Sequence, residues 1–179
     1  MRALLSASRA IDRLSAAAGV IADWLVLFAV LISAGNATIR YLFNVSSNGW
    51  LEIQWYMFGA LVFLGASHTL KMNEHVRVDL VYSAVSDRAR LWIDALGFAV
   101  IFLPVLATLT LLSTPFFLNS FRQAEVSNNA GGLILWPIKL VLPLGFGLLL
   151  LQGVSELVKR VGALRGEVAL DARYEKPLQ

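Results

Sequence analysis

The sequence predicts an all-α integral membrane domain with four transmembrane helices, both termini cytoplasmic, and an N-terminal amphipathic surface helix. Three observations predict it. The chain of 179 residues is 58% hydrophobic, with a mean hydropathy of +0.68, whereas a soluble domain is about 45–50% apolar. Four apolar runs reach the roughly 20 residues that a helix needs to cross a hydrocarbon core. Finally, 12 of the 15 Lys and Arg residues fall before the first run, between the second and third, or after the fourth. That asymmetry puts those three segments on the cytoplasmic side.

The elements follow in order within one domain, residues 1–179. Residues 1–19 are too polar for a signal peptide, because Arg9, Asp12 and Arg13 interrupt the apolar stretch. As a helix they place Leu4, Ile11, Leu14 and Ala18 on one face and Arg2, Arg9 and Arg13 on the other, a pattern suited to the headgroup plane. The spans cover about 22–43, 50–70, 91–118 and 136–158, each helical because backbone amides in lipid need partners within the segment. Pro104 and Pro115 predict a kink or tilt in the third span, or its end near Pro115. Residues 161–179 form a cytoplasmic tail. Five tryptophans, Trp24, Trp50, Trp55, Trp92 and Trp136, fall near span ends as interfacial anchors.

Ionisable groups sit at the edges of the spans. Asp23 and Asp94 lie near the inner surface, Arg40 and Glu52 near the outer one. Arg40 and Glu52 flank a short loop, so they either pair or are solvated separately. Glu52 opens a polar stripe with Gln54 and Trp55. No carboxylate, histidine or arginine lies near the middle of a span, where carriers and proton relays place their titratable groups. Small residues mark helix faces for close packing, either among these four helices or against a larger integral partner: Gly59 with Ala66 in the second span, and Gly145, Gly147 and Gly153 in the fourth.

The two histidines, His68 and His75, lie seven residues apart at the end of the second span. On one helix they share a face, so they do not approach one haem iron from opposite sides. The His68, Glu74, His75 and Asp79 spacing matches no metal motif. A polar hinge needs less: Lys71, Glu74 and Arg77 pair locally, and Asp79 caps a short surface segment. Ser86 then caps the next helix. Outside, Asn128, Asn129, Gly131 and Gly132 predict a turn, and Trp136-Pro137 a helix start. With zero cysteines the chain forms no disulfide and no thiolate metal site. Its basic residues are spread over membrane flanks, so nucleic-acid binding is not expected.

Two stretches, "LEIQWYMFGALVFLGASHTLKMNEHVRVDL" and "SNNAGGLILWPIKLVLPLGFGLLLLQ", resemble the small membrane subunit of TRAP (tripartite ATP-independent periplasmic) transporters, the DctQ-type family. The resemblance covers about residues 15–160. Its motifs are Glu52 with Trp55, Gly65-Ala66, the run from His75 through Arg77 to Asp79, Asn129-Ala130-Gly131-Gly132, Trp136-Pro137 and Lys139.

The resemblance implies a small, non-catalytic scaffold subunit of a sodium-coupled secondary transporter for organic acids, in the bacterial inner (cytoplasmic) membrane as a multi-pass protein. Its implied partners are the large membrane subunit, a periplasmic substrate-binding protein and the lipid bilayer. It implies no cofactor in this chain and sodium ions on the large subunit. Arg40, Glu52, Trp55, Gly59, Ala66, His75, Arg77 and Asp79 are then interface or structural positions. Asn128, Asn129, Gly131, Gly132 and Trp136 are candidates for periplasmic docking. The competing reading is a haem- or quinone-binding membrane anchor of a redox complex.

Overall fold

A computed structural model describes residues 2–45, 47–74 and 85–168. It holds four long helices: α1, Arg2–Phe43; α2, Asn48–Met72; α3, Asp87–Arg122; and α4, Trp136–Leu164. Among the described residues the only extended pairing is an isolated bridge between Val126 and Ile134.

The helix ends follow local chemistry. After α1 and α2 the backbone turns left-handed at Asn44 (φ 53°) and Asn73 (φ 61°), and Gly166 (φ 75°) does the same after α4. These are the residue types that tolerate that conformation at a helix terminus. Beyond α2 the chain closes with Asn73 N–H on the Leu70 carbonyl and Glu74 N–H on that of Thr69. Ser86 precedes α3 in extended conformation, without a side-chain cap bond; Arg90 and Asp87 pair across the first turn instead. Pro137 lies in the first turn of α4, as expected.

Two expectations need correction. The surface helix and first span are not separate: α1 runs unbroken for 42 residues, about 60 Å at 1.5 Å per residue. Gly19 does not break it. The His68 ring of α2 sits where a Gly19 side chain would project, with Cγ 2.5 Å from an ideal Cβ position. Nor does Pro115 end α3, which continues to Arg122. The irregularity lies earlier, at Gly97–Phe102, where the helix widens into a π turn and Leu103 N–H bonds the Phe98 carbonyl. Pro104 has no N–H to give, and this wider turn precedes it.

Helix α4 is the hub. It packs against α1, α2 and α3, and α1 also lies along α2, whereas α3 leans substantially on α4 alone. The α1 seam repeats small residues every seven positions: Ser8, Ser15, Ala22 and Ala29 are all buried. Gly65 of α2 faces Ala22. In the middle, Gly145 of α4 meets the Phe63 backbone, Gly59 of α2 meets Ile138, and Gly153 meets Phe102. A side chain at Gly147 would meet nothing within 4 Å among the described residues.

Three helices, α1, α3 and α4, are long and apolar enough to cross a membrane. Helix α2 has 25 residues, but Glu52, Gln54, Ser67 and His68 dilute its apolar character. Those residues are turned inward: Glu52, Gln54 and Ser67 are all buried.

Candidate functional site

Polar chemistry concentrates at the two ends of the bundle. At one end, the connection between α3 and α4 (residues 123–135) folds back on the start of α2. Its two arms pair antiparallel: Leu135 N–H donates to the Glu125 carbonyl at 2.8 Å and Ser127 N–H to that of Leu133 at 2.9 Å. Gly131 takes φ 70° at the tip. At Gly132 a side chain would collide with Ser127 Cβ at 2.6 Å. The sequence demands glycine at both positions for these reasons.

Glu52 lies beneath this loop and is 5% exposed. Its Oε1 accepts from the Ser127 hydroxyl and from Asn129 Nδ2, the latter at 2.6 Å. Its Oε2 accepts from Leu133 N–H at 2.7 Å. All three donors are neutral and all belong to the loop. Asn48 and Tyr56 of α2 add bonds to the Ala130 and Ile134 carbonyls, each at 3.2 Å. Lys139 of α4 pairs with Glu125 and lies 4.3 Å from the Phe116 ring centroid. That ammonium holds the Glu125 carboxyl below the ordinary carboxylate range.

At the other end a network joins α1, α4 and α3. Gln152, 0% exposed, uses its whole amide. Its Oε1 accepts from Ser15 Oγ at 2.7 Å, and its Nε2 donates to Asp12 at 2.9 Å and to Glu156 at 3.0 Å. Ser155 Oγ lies 2.7 Å from Ser8 Oγ and 2.9 Å from Asp12 Oδ1. Lys159 bridges Asp12 and Glu156. Arg160 reaches Glu156 at 2.6 Å and Asp94 of α3 at 3.0 Å, with its guanidinium 4.6 Å from the Phe98 ring.

The structure sorts the sequence-predicted residues. Glu52, Asn129, Gly131 and Gly132 come together in one unit. Trp136 stands beside it, edge-on to Phe121 at 5.4 Å. Asn128 is exposed at the tip. Arg40 is exposed and does not share in the Glu52 bonds; of the two readings, pairing is not seen, and Glu52 is neither paired with Arg40 nor solvated but bonded to the loop. Asp94 is salt-bridged rather than merely solvated. Gly59 packs on α4, Ala66 is half-buried, and Trp55 is 69% exposed. His68 lies in the α1–α2 seam, with Nδ1 buried and without a hydrogen-bond partner among the described residues. His75, Arg77 and Asp79 lie outside the described residues.

Sequence reasoning missed the Gln152 network. A signal was present: Gln152, Ser155, Glu156 and Lys159 share one face of α4, as Ser8, Asp12 and Ser15 share one face of α1.

A family model, "Tripartite ATP-independent periplasmic transporters, DctQ component", matches residues 29–163, well over half of the chain. No curated protein and no solved structure matches. The matched region takes in the 123–135 loop, Glu52 and the α4 side of the network; Ser8, Asp12 and Ser15 precede it.

Proposed function

The chain belongs to the DctQ family of tripartite ATP-independent periplasmic transporters, and on that premise we propose that it is the small, non-catalytic scaffold subunit of a sodium-coupled importer of organic acids. It sits in the bacterial inner membrane with all four helices spanning and both termini cytoplasmic. The basic residues clustered at the α1 start, the α2–α3 connection and the α4 end support that orientation. The inward-turned polar residues of α2 support its place as the fourth span, because the face left to lipid is apolar. The large membrane subunit carries substrate and sodium ions. The 123–135 loop faces the periplasm and receives the substrate-loaded binding protein.

One observation carries the scaffold reading: the polar groups are spent on holding this chain together. Both Glu52 oxygens are taken by its own loop, and every polar atom of the Gln152 amide by its own helices. The apolar surface, by contrast, is left uncovered. Only 17 to 28% of the most apolar stretch of α1, α3 and α4 is buried, which leaves a wide face for lipid and for a larger integral partner.

Tagged chain purified in mild detergent is expected to bring down a large multi-span subunit. Proteoliposomes holding both subunits are expected to import substrate with added binding protein and a sodium gradient, and to lose import without this chain. A solitary monomer whose omission leaves import intact overturns the reading. A haem absorption band in the purified protein would replace it with the redox-anchor alternative.

A further inference from the structure

We propose that Glu52 is the positioning residue of the outer surface: from α2 it fixes the 123–135 loop in one conformation and thereby sets the affinity for the soluble partner. The inference rests on the reading that this loop receives the binding protein.

The geometry has three features of a positioning device. First, the carboxylate collects its bonds from both arms of the loop, Ser127 and Asn129 on one side of the tip and Leu133 on the other. A single group thus fixes the separation of the arms. Second, the anchor is rigid and the anchored part is exposed. Glu52 is buried on a 25-residue helix, whereas Asn128, Asn129, Ala130 and Gly131 face outward. Third, Val126 and Ile134 are both about half exposed, and of the loop's apolar side chains only Leu133 and Leu135 turn partly inward. Hydrogen bonds therefore carry much of its order, and those to an ionised acceptor are the strongest kind.

A loop already held in its docked shape loses less conformational freedom when a partner binds. Removing the carboxylate leaves a serine hydroxyl, an asparagine amide and one backbone N–H to seek water instead. These groups lie at a wet surface, so the loop gains conformations while the helices beneath it stay packed. The effect falls on affinity for the partner and not on the rate once the partner is bound.

The test uses the complete transporter in proteoliposomes, with substrate-loaded binding protein titrated against a fixed sodium gradient. Glu52→Ala is expected to raise the half-saturating concentration of binding protein roughly tenfold. The yield of assembled complex and the maximal rate should stay unchanged. Glu52→Gln keeps the shape and part of the acceptor capacity, and should fall between Glu52→Ala and wild type. Ser127→Ala removes one bond from the loop side; it should shift the same parameter by less, and it carries the test if Glu52→Ala does not assemble. A fall in maximal rate with no change in half-saturation overturns the proposal.

Asn128→Trp, at the exposed tip, separates the two readings. If it raises half-saturation while the Glu52 and Ser127 variants do not, docking stands and the positioning role falls. If none of the variants moves half-saturation, the loop is not the docking surface and both readings fall.

Discussion

The Glu52 clamp and the Gln152 network use similar residues for different purposes. At the clamp one carboxylate holds a loop through three neutral donors. In the network, carboxylates on α1, α3 and α4 meet two cations, both on α4. The difference lies in what is being joined. A loop on a helix end remains near water, so losing the clamp costs order. Three helices joined through buried ions have no such recourse, because a charge stripped of its partner stays buried. At this end α1 meets α4 through Ser8, Asp12 and Ser15 as well as Leu5, so polar groups make up a large share of the contact. Fold stability is therefore vested in the network, and surface shape in the clamp.

The largest expected effect follows from that division. Arg160→Met leaves Glu156 and Asp94 without their shared guanidinium, and Arg160 and Glu156 side chains are only 8% and 9% exposed. Breaking a buried pair on one side costs about 3–5 kcal/mol when the remaining charge is uncompensated; Glu156 keeps Lys159 and the Gln152 amide, so the loss should fall at the low end, readable as a lower midpoint of unfolding in mixed micelles. The double variant Arg160→Met/Glu156→Met should recover a large part of that loss. A single-variant loss no greater than that of Glu52→Ala in the same assay would break the comparison.

A smaller effect is expected from Gln152→Leu, which is near in size but supplies neither donors nor acceptor. Ser15 loses its acceptor, while Asp12 and Glu156 each lose a donor but keep Lys159. Leaving buried polar groups short of partners costs about 1–3 kcal/mol. Because Ser8 still meets Ser155, the start of α1 should fray without detaching. Hydrogen exchange is the measure: amides near Ser15 should speed up while those near Ala29 do not. Equal acceleration along all of α1 would show the seam to be one cooperative unit and the network no separate lock.

The same contrast explains what the sequence disclosed. Apolar runs of spanning length located all four helices, and Ser86 and Trp136-Pro137 marked two of their starts. Those signals are local. The clamp links Glu52 to residues 75 to 81 positions away, and no local pattern encodes such a pairing. Nearness in sequence offered Arg40 as one partner for Glu52 and water as the other, and the loop is neither. The network was half legible: polar stripes lay on α1 and α4, but at span ends such residues ordinarily face water. Continuity of α1 was hidden because an amphipathic stretch and an apolar run differ in pattern, and nothing local says that one helix carries both. Glycines on helix faces announce close packing without naming the partner: Gly145 and Gly153 meet helices of this chain, while the space beside Gly147 is open among the described residues.

The smallest expected effect lies at the rim of the clamp, in the Glu125–Lys139 pair. The Glu125 side chain is 37% exposed, so water and salt screen the contact. The lysine holds the Glu125 carboxyl below its ordinary range. A carboxyl that is more acidic in the folded state contributes stability above its unfolded pKa and loses it as pH falls through the folded one. Protection of the Leu135 amide, which bonds the Glu125 carbonyl at 2.8 Å, should therefore be steady from neutral pH down to the ordinary carboxylate range. It should decline only below that range. Glu52 titrates under the same loop, so the quantity to read is the difference between wild type and Lys139→Met. Without the ammonium, Glu125 returns toward its ordinary value and this pair's share of the decline disappears, as it should in wild type at high salt. Identical profiles for the two proteins would assign the whole pH response to Glu52, and the clamp would then rest on a single carboxylate.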